Sequence, residues 1–184
     1  MNRHFAVTRR RTLVPFPKEL GKRAWSDRLA SFGIVVPRAA LSRYKRSRSR
    51  SGAKRLSTLR WLQWVESAGE DESERIIAAS VIRWIAFPQR ISLDWIAVAP
   101  DERGQGVGAA FLNETERYAR SVVEKIETFS DLPRIELTAV VPETNLAAQR
   151  LLRGGGLRCV RTETDPLSGI DYYVFEKTIE RRES

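Results

Sequence analysis

Six residues past the middle of the chain, Arg103-Gly104-Gln105-Gly106-Val107-Gly108, have the types and spacing to hold a phosphate group. Alternate glycines take away side chains where a backbone must come close to a ligand, and they tolerate positive φ. An apolar run at 91–98 precedes them and an amphipathic run follows. The turn therefore stands at a helix N-terminus, where unpaired N–H groups and the positive end of the helix dipole favour an anion. Arg103 adds a charge at the entrance. The plainer alternative is a tight strand-to-helix turn without a ligand. A third reading takes Gly104, Gly106 and Ala109 as a G-x-G-x-x-A dinucleotide fingerprint. That fold needs an acidic residue at a strand end about 20 positions further on. Here the next strand ends near Val141, which is too far, and the turn follows a hairpin rather than opening a βαβ unit.

Other chemistry is bounded by what the chain lacks. A single histidine, His4, and a single cysteine, Cys159, leave no material for a Ser/His/Asp triad, a metal cluster or an internal disulfide. No metal site is expected, and Cys159 reads as a small buried residue rather than a nucleophile. The longest apolar stretch, 76–87, is broken by Ser80 and Arg83 and is too short to cross a bilayer. Arg9-Arg10-Arg11 leads into no signal-peptide apolar core, so a cytoplasmic protein without membrane contact is expected.

The elements that would position the turn follow from periodicity. Leu20, Trp25, Leu29 and Phe32 form an apolar stripe, so a helix is predicted from Phe16 to Phe32 and ended by Gly33. A second helix is expected from Pro37 through Tyr44. Segments 59–65 and 75–87, rich in Trp, Ile and Val, read as a hairpin about the acidic turn 68–72. A third strand runs over 91–98. The helix after the turn shows Val107, Phe111, Tyr118, Val122 and Ile126 as its sheet-facing stripe. A strand at 135–141 places Ile135, Leu137, Ala139 and Val141 on one face. Thr144 or Asn145 caps a short helix that ends at Gly154-Gly155-Gly156, and two closing strands follow at 157–162 and 170–179. The class is α/β: a mixed sheet covered by helices.

Charge divides the chain. Residues 1–60 hold 17 Lys and Arg against Glu19 and Asp27, whereas 61–184 hold 15 basic residues against 21 acidic ones, for the net +9. A basic N-terminal region, 1–57, and a second domain, 58–184, are expected. Within the former, 43–55 is nearly free of apolar residues and reads as a mobile loop. Its functional alternative is a sequence-independent, salt-sensitive contact with nucleic acid or the ribosome. Trp61 and Trp64, just beyond it, are expected to pack the hairpin.

The stretch Ile96-Ala97-Val98-Ala99-Pro100-Asp101-Glu102-Arg103-Gly104-Gln105-Gly106-Val107-Gly108 resembles motif A of the GNAT superfamily of N-acetyltransferases. The pattern Arg/Gln-x-x-Gly-x-Gly/Ala is met by Arg103, Gly106 and Gly108. Val141-Pro142-Glu143-Thr144-Asn145-Leu146-Ala147-Ala148, followed by Leu151 and Gly156-Leu157, is similar to that family's Asn-x-x-Ala-x-x-Leu-Tyr-x-x-x-Gly-Phe segment. The resemblance covers 59–179 and leaves the basic region unexplained.

The resemblance implies a GNAT-like acyl-CoA N-acyltransferase fold, mostly antiparallel with a central parallel pair, and acetyl-CoA as co-substrate. An amine would attack the thioester directly in a ternary complex. Ile96, Ala97, Val98, Arg103, Gly104, Gln105, Gly106, Val107, Gly108, Asn145 and Ala148 would bind the cofactor. The Val98 N–H would polarise the thioester carbonyl. The acceptor would be an amine on a small molecule, a protein or a tRNA. Catalytic acid and base do not carry over. Leu152 stands where the family often has a Tyr acid, and Val140 where many members have a Glu base. Simple alternation puts Asp94 on the face of Ile96 and Val98, which makes it the substitute base, ahead of Glu136 and Tyr173. A coenzyme A binder without turnover and a nucleic-acid adaptor are the alternatives.

Overall fold

The structure, a computed structural model, describes residues 9–16, 21–36, 57–68, 74–86, 89–124 and 134–180. Its elements run β1 (Arg9–Pro15), α1 (Gly21–Ala30), β2 (Ser57–Ala68), β3 (Arg75–Ala86) and β4 (Gln89–Val98). A 3-10 turn, Pro100–Glu102, leads to α2 (Val107–Val123), β5 (Arg134–Pro142), α3 (Leu146–Gly154), β6 (Arg158–Thr164) and β7 (Asp171–Glu180). One seven-stranded sheet takes the order β1-β2-β3-β4-β5-β7-β6. Every neighbouring pair is antiparallel except β4 and β5. A mixed sheet with a central parallel pair is what the resemblance implied.

Helices cover both faces. Leu112, Ala119 and Val123 of α2 and Leu152 of α3 pack with Ile82, Trp84, Ile91, Leu93, Ile135, Leu137, Ala139, Val141 and Phe175 of the sheet. Strand residues alternate sides, so Ala79 and Val81 look the other way, onto Trp25 and Leu29 of α1. Trp25 meets Trp95 edge-on at 5.8 Å between ring centroids. Trp25 and Leu29 are both fully buried, and each contributes roughly 1.5–3 kcal/mol from that burial.

Three sequence expectations change. Residues 9–15, unassigned from the sequence, form an edge strand on β2, and α1 is shorter than the predicted helix, with Phe16 a buried residue ahead of it. On α2 the stripe runs through Val107, Phe111, Thr115, Ala119 and Val123, leaving Tyr118 and Val122 half-buried on its flank. The i, i+4 row passes through a threonine that apolar periodicity overlooks. Cys159 is exposed, because β6 is an edge strand with both faces in solvent. Trp64 does pack, stacked on Phe111 at 5.8 Å. The expected helix from Pro37, the loop 43–55, the turn at 69–72, the Trp61 side chain and Ile126 lie outside the described residues.

Candidate active site

The site begins where β4 and β5 part. These parallel strands pair only at Arg90–Glu136, Ile91–Leu137 and Ser92–Thr138. At that last rung the Thr138 hydroxyl donates to the Ile91 carbonyl at 3.4 Å. Beyond it each strand continues, β4 along β3 and β5 along β7, and a wedge opens between them.

A β-bulge sits at the apex. Val81 pairs with Trp95 and Ile82 with Leu93, so Asp94 is an extra residue with no opposite number. An inserted residue reverses the facing of everything after it. Ile91 and Leu93 face α2, whereas past the bulge Ile96 and Val98 take that face and Trp95 and Ala97 turn toward α1. Asp94 therefore does not share a face with Ile96 and Val98, as uninterrupted alternation implied. It lies on the α1 side, where its Oδ1 accepts hydrogen bonds of 2.6 Å from Arg83 Nη2 and from the Ser92 hydroxyl. The carboxylate is 3% exposed, so this pairing offsets the cost of burying its charge.

The bulge also sets the amides of β4. Ala99 donates its N–H to the Ile77 carbonyl of β3 at 2.9 Å. Backbone groups alternate sides along an extended strand, so the Val98 N–H and C=O are directed into the wedge. Arg103 Nε donates to that carbonyl at 3.1 Å, which fixes the guanidinium at the wedge's open end.

The glycine turn follows directly. Gly104 and Gly106 have φ of +77° and +78°, a left-handed conformation that L side chains resist. A Cβ added at either meets nothing within 4 Å, so conformation alone demands glycine there. Gly108 is different. Its added Cβ would lie 3.3 Å from Leu151 Cδ1 and 3.5 Å from Val98 Cγ2, so it marks the close approach of α2 to α3 and the end of β4. Gly106 caps α2 without a side-chain bond, and the first intrahelical bond is Ala110 N–H to the Gly106 carbonyl at 3.1 Å. The N–H groups of Val107, Gly108 and Ala109 thus have no intrahelical acceptor, and no acidic residue occupies the first turn. Gln105, exposed, donates to the Asp101 carbonyl at 2.9 Å. The wedge and three helix-end amides meet at one place, open to an elongated ligand that ends in phosphates.

Across the wedge, Asn145 caps α3, its Oδ1 accepting from the Ala148 N–H at 3.1 Å. Of the two predicted caps it is Asn145 that serves, with Ala148 partly buried against the main core. Leu152 is 1% exposed within that core, Val140 is exposed, Glu136 is exposed on β5, and Tyr173 packs at the core edge on the α2 side. The structure thus brings Val98, the 103–108 turn and α3 together at Gly108, where Leu151 is the contact from α3, and holds Asp94 on the opposite face of β4.

Sequence reading missed the residues that anchor this turn. Glu102 is 5% exposed and ion-paired to Arg75 of β3 at 3.2 Å and to Arg11 of β1 at 3.7 Å. Nothing in Asp101-Glu102-Arg103 marks the middle residue as buried, since its partners are 27 and 91 positions away.

No curated protein matches this chain. Solved structures match its fold. The IAA acetyltransferase of Bacillus cereus ATCC 14579 is 15% identical, with 92% of this chain and 100% of that one covered and a TM-score of 0.58. NAA60 of Arabidopsis thaliana in complex with acetyl-CoA is 18% identical over 92% and 99%, with a TM-score of 0.56. The ribosomal-protein-S18-alanine N-acetyltransferase of Escherichia coli is 15% identical over 95% and 97%, with a TM-score of 0.53. The model of the acetyltransferase (GNAT) family matches residues 38–155, well over half of the chain, and the protein belongs to that family.

Proposed function

We propose that this protein transfers an acetyl group from acetyl-CoA to an amine. One observation carries the reading: the parting of β4 and β5 after three rungs opens a wedge that leads straight to the unpaired amides of the 103–108 turn. The donor set fits the co-substrate. Backbone N–H groups from Gln105 to Gly108, with Arg103, are suited to a pyrophosphate, and the backbone groups of Ile96 and Val98, directed away from β3 on either side of Ala97, are suited to the amide-bearing pantetheine arm. Asn145 and Ala148, at the start of α3, line the other side.

A thioester carries its own activation, so the chain's work is alignment, charge stabilisation and proton removal. The amine nitrogen attacks the carbonyl carbon, a C–N bond forms, and the C–S bond breaks to leave a thiolate that takes a proton from water. The Val98 N–H, directed into the wedge, donates to the carbonyl oxygen as charge builds there, a type of contact worth about 3–4 kcal/mol per donor. Asp94 at the bulge is the base we assign to an acceptor ammonium that enters from the α1 side of β4, opposite the cofactor groups, and takes the place of the Arg83 guanidinium on the buried carboxylate. Asp94→Asn should then lower turnover while acetyl-CoA still binds. The acceptor we propose is an amine on a small molecule or a protein. A ribosomal protein is one instance, since one structural neighbour is an S18-alanine N-acetyltransferase.

A second reading, coenzyme A binding without turnover, is favoured by Leu152. It is a core residue that supplies no proton where many members carry a tyrosine. Thiol release in the presence of a panel of amines separates the two. Release with any amine, reduced in Asp94→Asn, supports transfer, and tight binding without release across the panel supports the binder.

A further inference from the structure

We propose that Glu102 is a positioning residue, a buried carboxylate that fixes the glycine turn in the form that presents its amides to the pyrophosphate. This rests on the reading of that turn as the pyrophosphate site. Between Ala99 and Val107, both buried, Glu102 is the one buried residue; Pro100, Asp101 and all of 103–106 are exposed. The turn has little else to hold it. Gly104 and Gly106 touch nothing where a side chain would begin, and the side chains of Arg103 and Gln105 are tied by one hydrogen bond each.

Two strands that are not neighbours reach Glu102. Arg11 of β1 lies 3.7 Å from one carboxylate oxygen and Arg75 of β3 3.2 Å from the other, so the carboxylate spans the end of β2. Each arginine is anchored in turn. Arg11 donates Nε to the buried Glu66 at 2.9 Å and lies 5.5 Å over the Trp64 ring, which stacks on Phe111 of α2. Arg75 also pairs with Asp101. Both sides of the turn, the 3-10 turn before it and α2 after it, are thereby referred to the same two arginines. A buried carboxylate is costly unless it is paired, so the arrangement has few alternatives of equal energy, and the amides beyond it are held before a ligand arrives.

The test compares Glu102→Gln with Glu116→Gln. Glu116 is an equally buried carboxylate of α2, paired with Lys177 at 2.8 Å and Arg120 at 3.6 Å, away from the turn. Coenzyme A affinity by calorimetry and hydrogen exchange, in the free protein, of the bonded amides that bracket the turn, Glu102, Arg103 and Ala110, are both read. Glu102→Gln should weaken coenzyme A about tenfold or more and speed exchange of those amides, because small misplacements of binding groups carry losses of that size. Glu116→Gln should lower thermal stability and leave both readings unchanged. If Glu102→Gln does not fold, Arg75→Gln, which leaves Arg11 alone on the carboxylate, should give the same two changes to a smaller degree. Wild-type affinity and exchange in the variant, or equal losses in Glu116→Gln, overturn the positioning role while the pyrophosphate reading stands. Failure of the wild type to bind coenzyme A overturns both.

Discussion

Replacing Gly106 by alanine isolates the conformational demand of the turn from its space. A Cβ at this position meets no atom within 4 Å, so the variant suffers no clash. Its φ of +78° is the whole cost, about 1–2 kcal/mol for an L residue in the left-handed region. The stiffer unfolded chain returns about 0.4–1 kcal/mol. The net loss of about 1 kcal/mol lowers the melting temperature of a chain this long by about 2–4 °C. The ligand effect should exceed this. If the residue relaxes toward negative φ, the N–H groups of Val107 and Gly108 swing away from their common direction, and a tenfold loss of affinity removes about 1.4 kcal/mol of ligand stabilisation. Melting curves recorded without ligand and across a series of acetyl-CoA concentrations measure both effects. Gly108→Ala is the contrast, because its φ is ordinary and its new methyl group needs only a few tenths of an ångström from the end of Leu151. An alanine at 106 that melts with the wild type and keeps the same acetyl-CoA response would refute the reasoning.

Other changes test the frame around the turn. Gly155→Ala drives a methyl group into Leu112 Cδ2, a core atom on α2, and should cost about 1–3 kcal/mol in denaturant unfolding; a neutral result would show that α3 can shift without loss. Asn145→Ala removes the cap bond to the Ala148 N–H and should cost about 1 kcal/mol, with a weaker response to acetyl-CoA if Asn145 also binds it. At the β6–β7 turn, the Leu167 N–H and then the Ser168 hydroxyl hold the Asp165 carboxyl below its ordinary 3.8. A lowered value in the folded state means that the turn's contribution is present above the unfolded value and is lost as pH falls through the folded one. The protection of the Leu167 amide, its exchange rate corrected for the intrinsic dependence on pH, should therefore fall on acidification through that range, and Asp165→Asn should abolish the dependence.

Much of this arrangement was legible in the sequence because it depends on local chemistry. Left-handed positions needed Gly104 and Gly106, β-branched and aromatic runs gave β2 to β5, and Asn145 announced a helix start. The rest depends on partners distant in the chain. Asp94 reads as one more alternating residue until the pairing of β3 with β4 shows that it has no partner, and the slip reverses the facing of Ile96 and Val98. Glu102 looks like a surface acid beside Asp101, and only Arg11 and Arg75 make its burial tolerable. β1 escaped notice because Arg9-Arg10-Arg11-Thr12 ahead of Leu13 and Val14 has no apolar alternation to show, and Leu13 and Val14 are both half-buried. On α2 the buried row runs through Thr115, whose hydroxyl lies 3.3 Å from that of Ser80, so two polar side chains complete a stripe that hydrophobicity leaves broken.

In the function we propose, the wedge between β4 and β5 and the turn at α2 bind acetyl-CoA together. Purified wild type is titrated with acetyl-CoA by calorimetry, beside Gly106→Trp. Saturable one-to-one binding in the wild type, lost when the indole fills the turn, is the predicted result. Absence of binding by the wild type, or equal binding by the tryptophan variant, would contradict it.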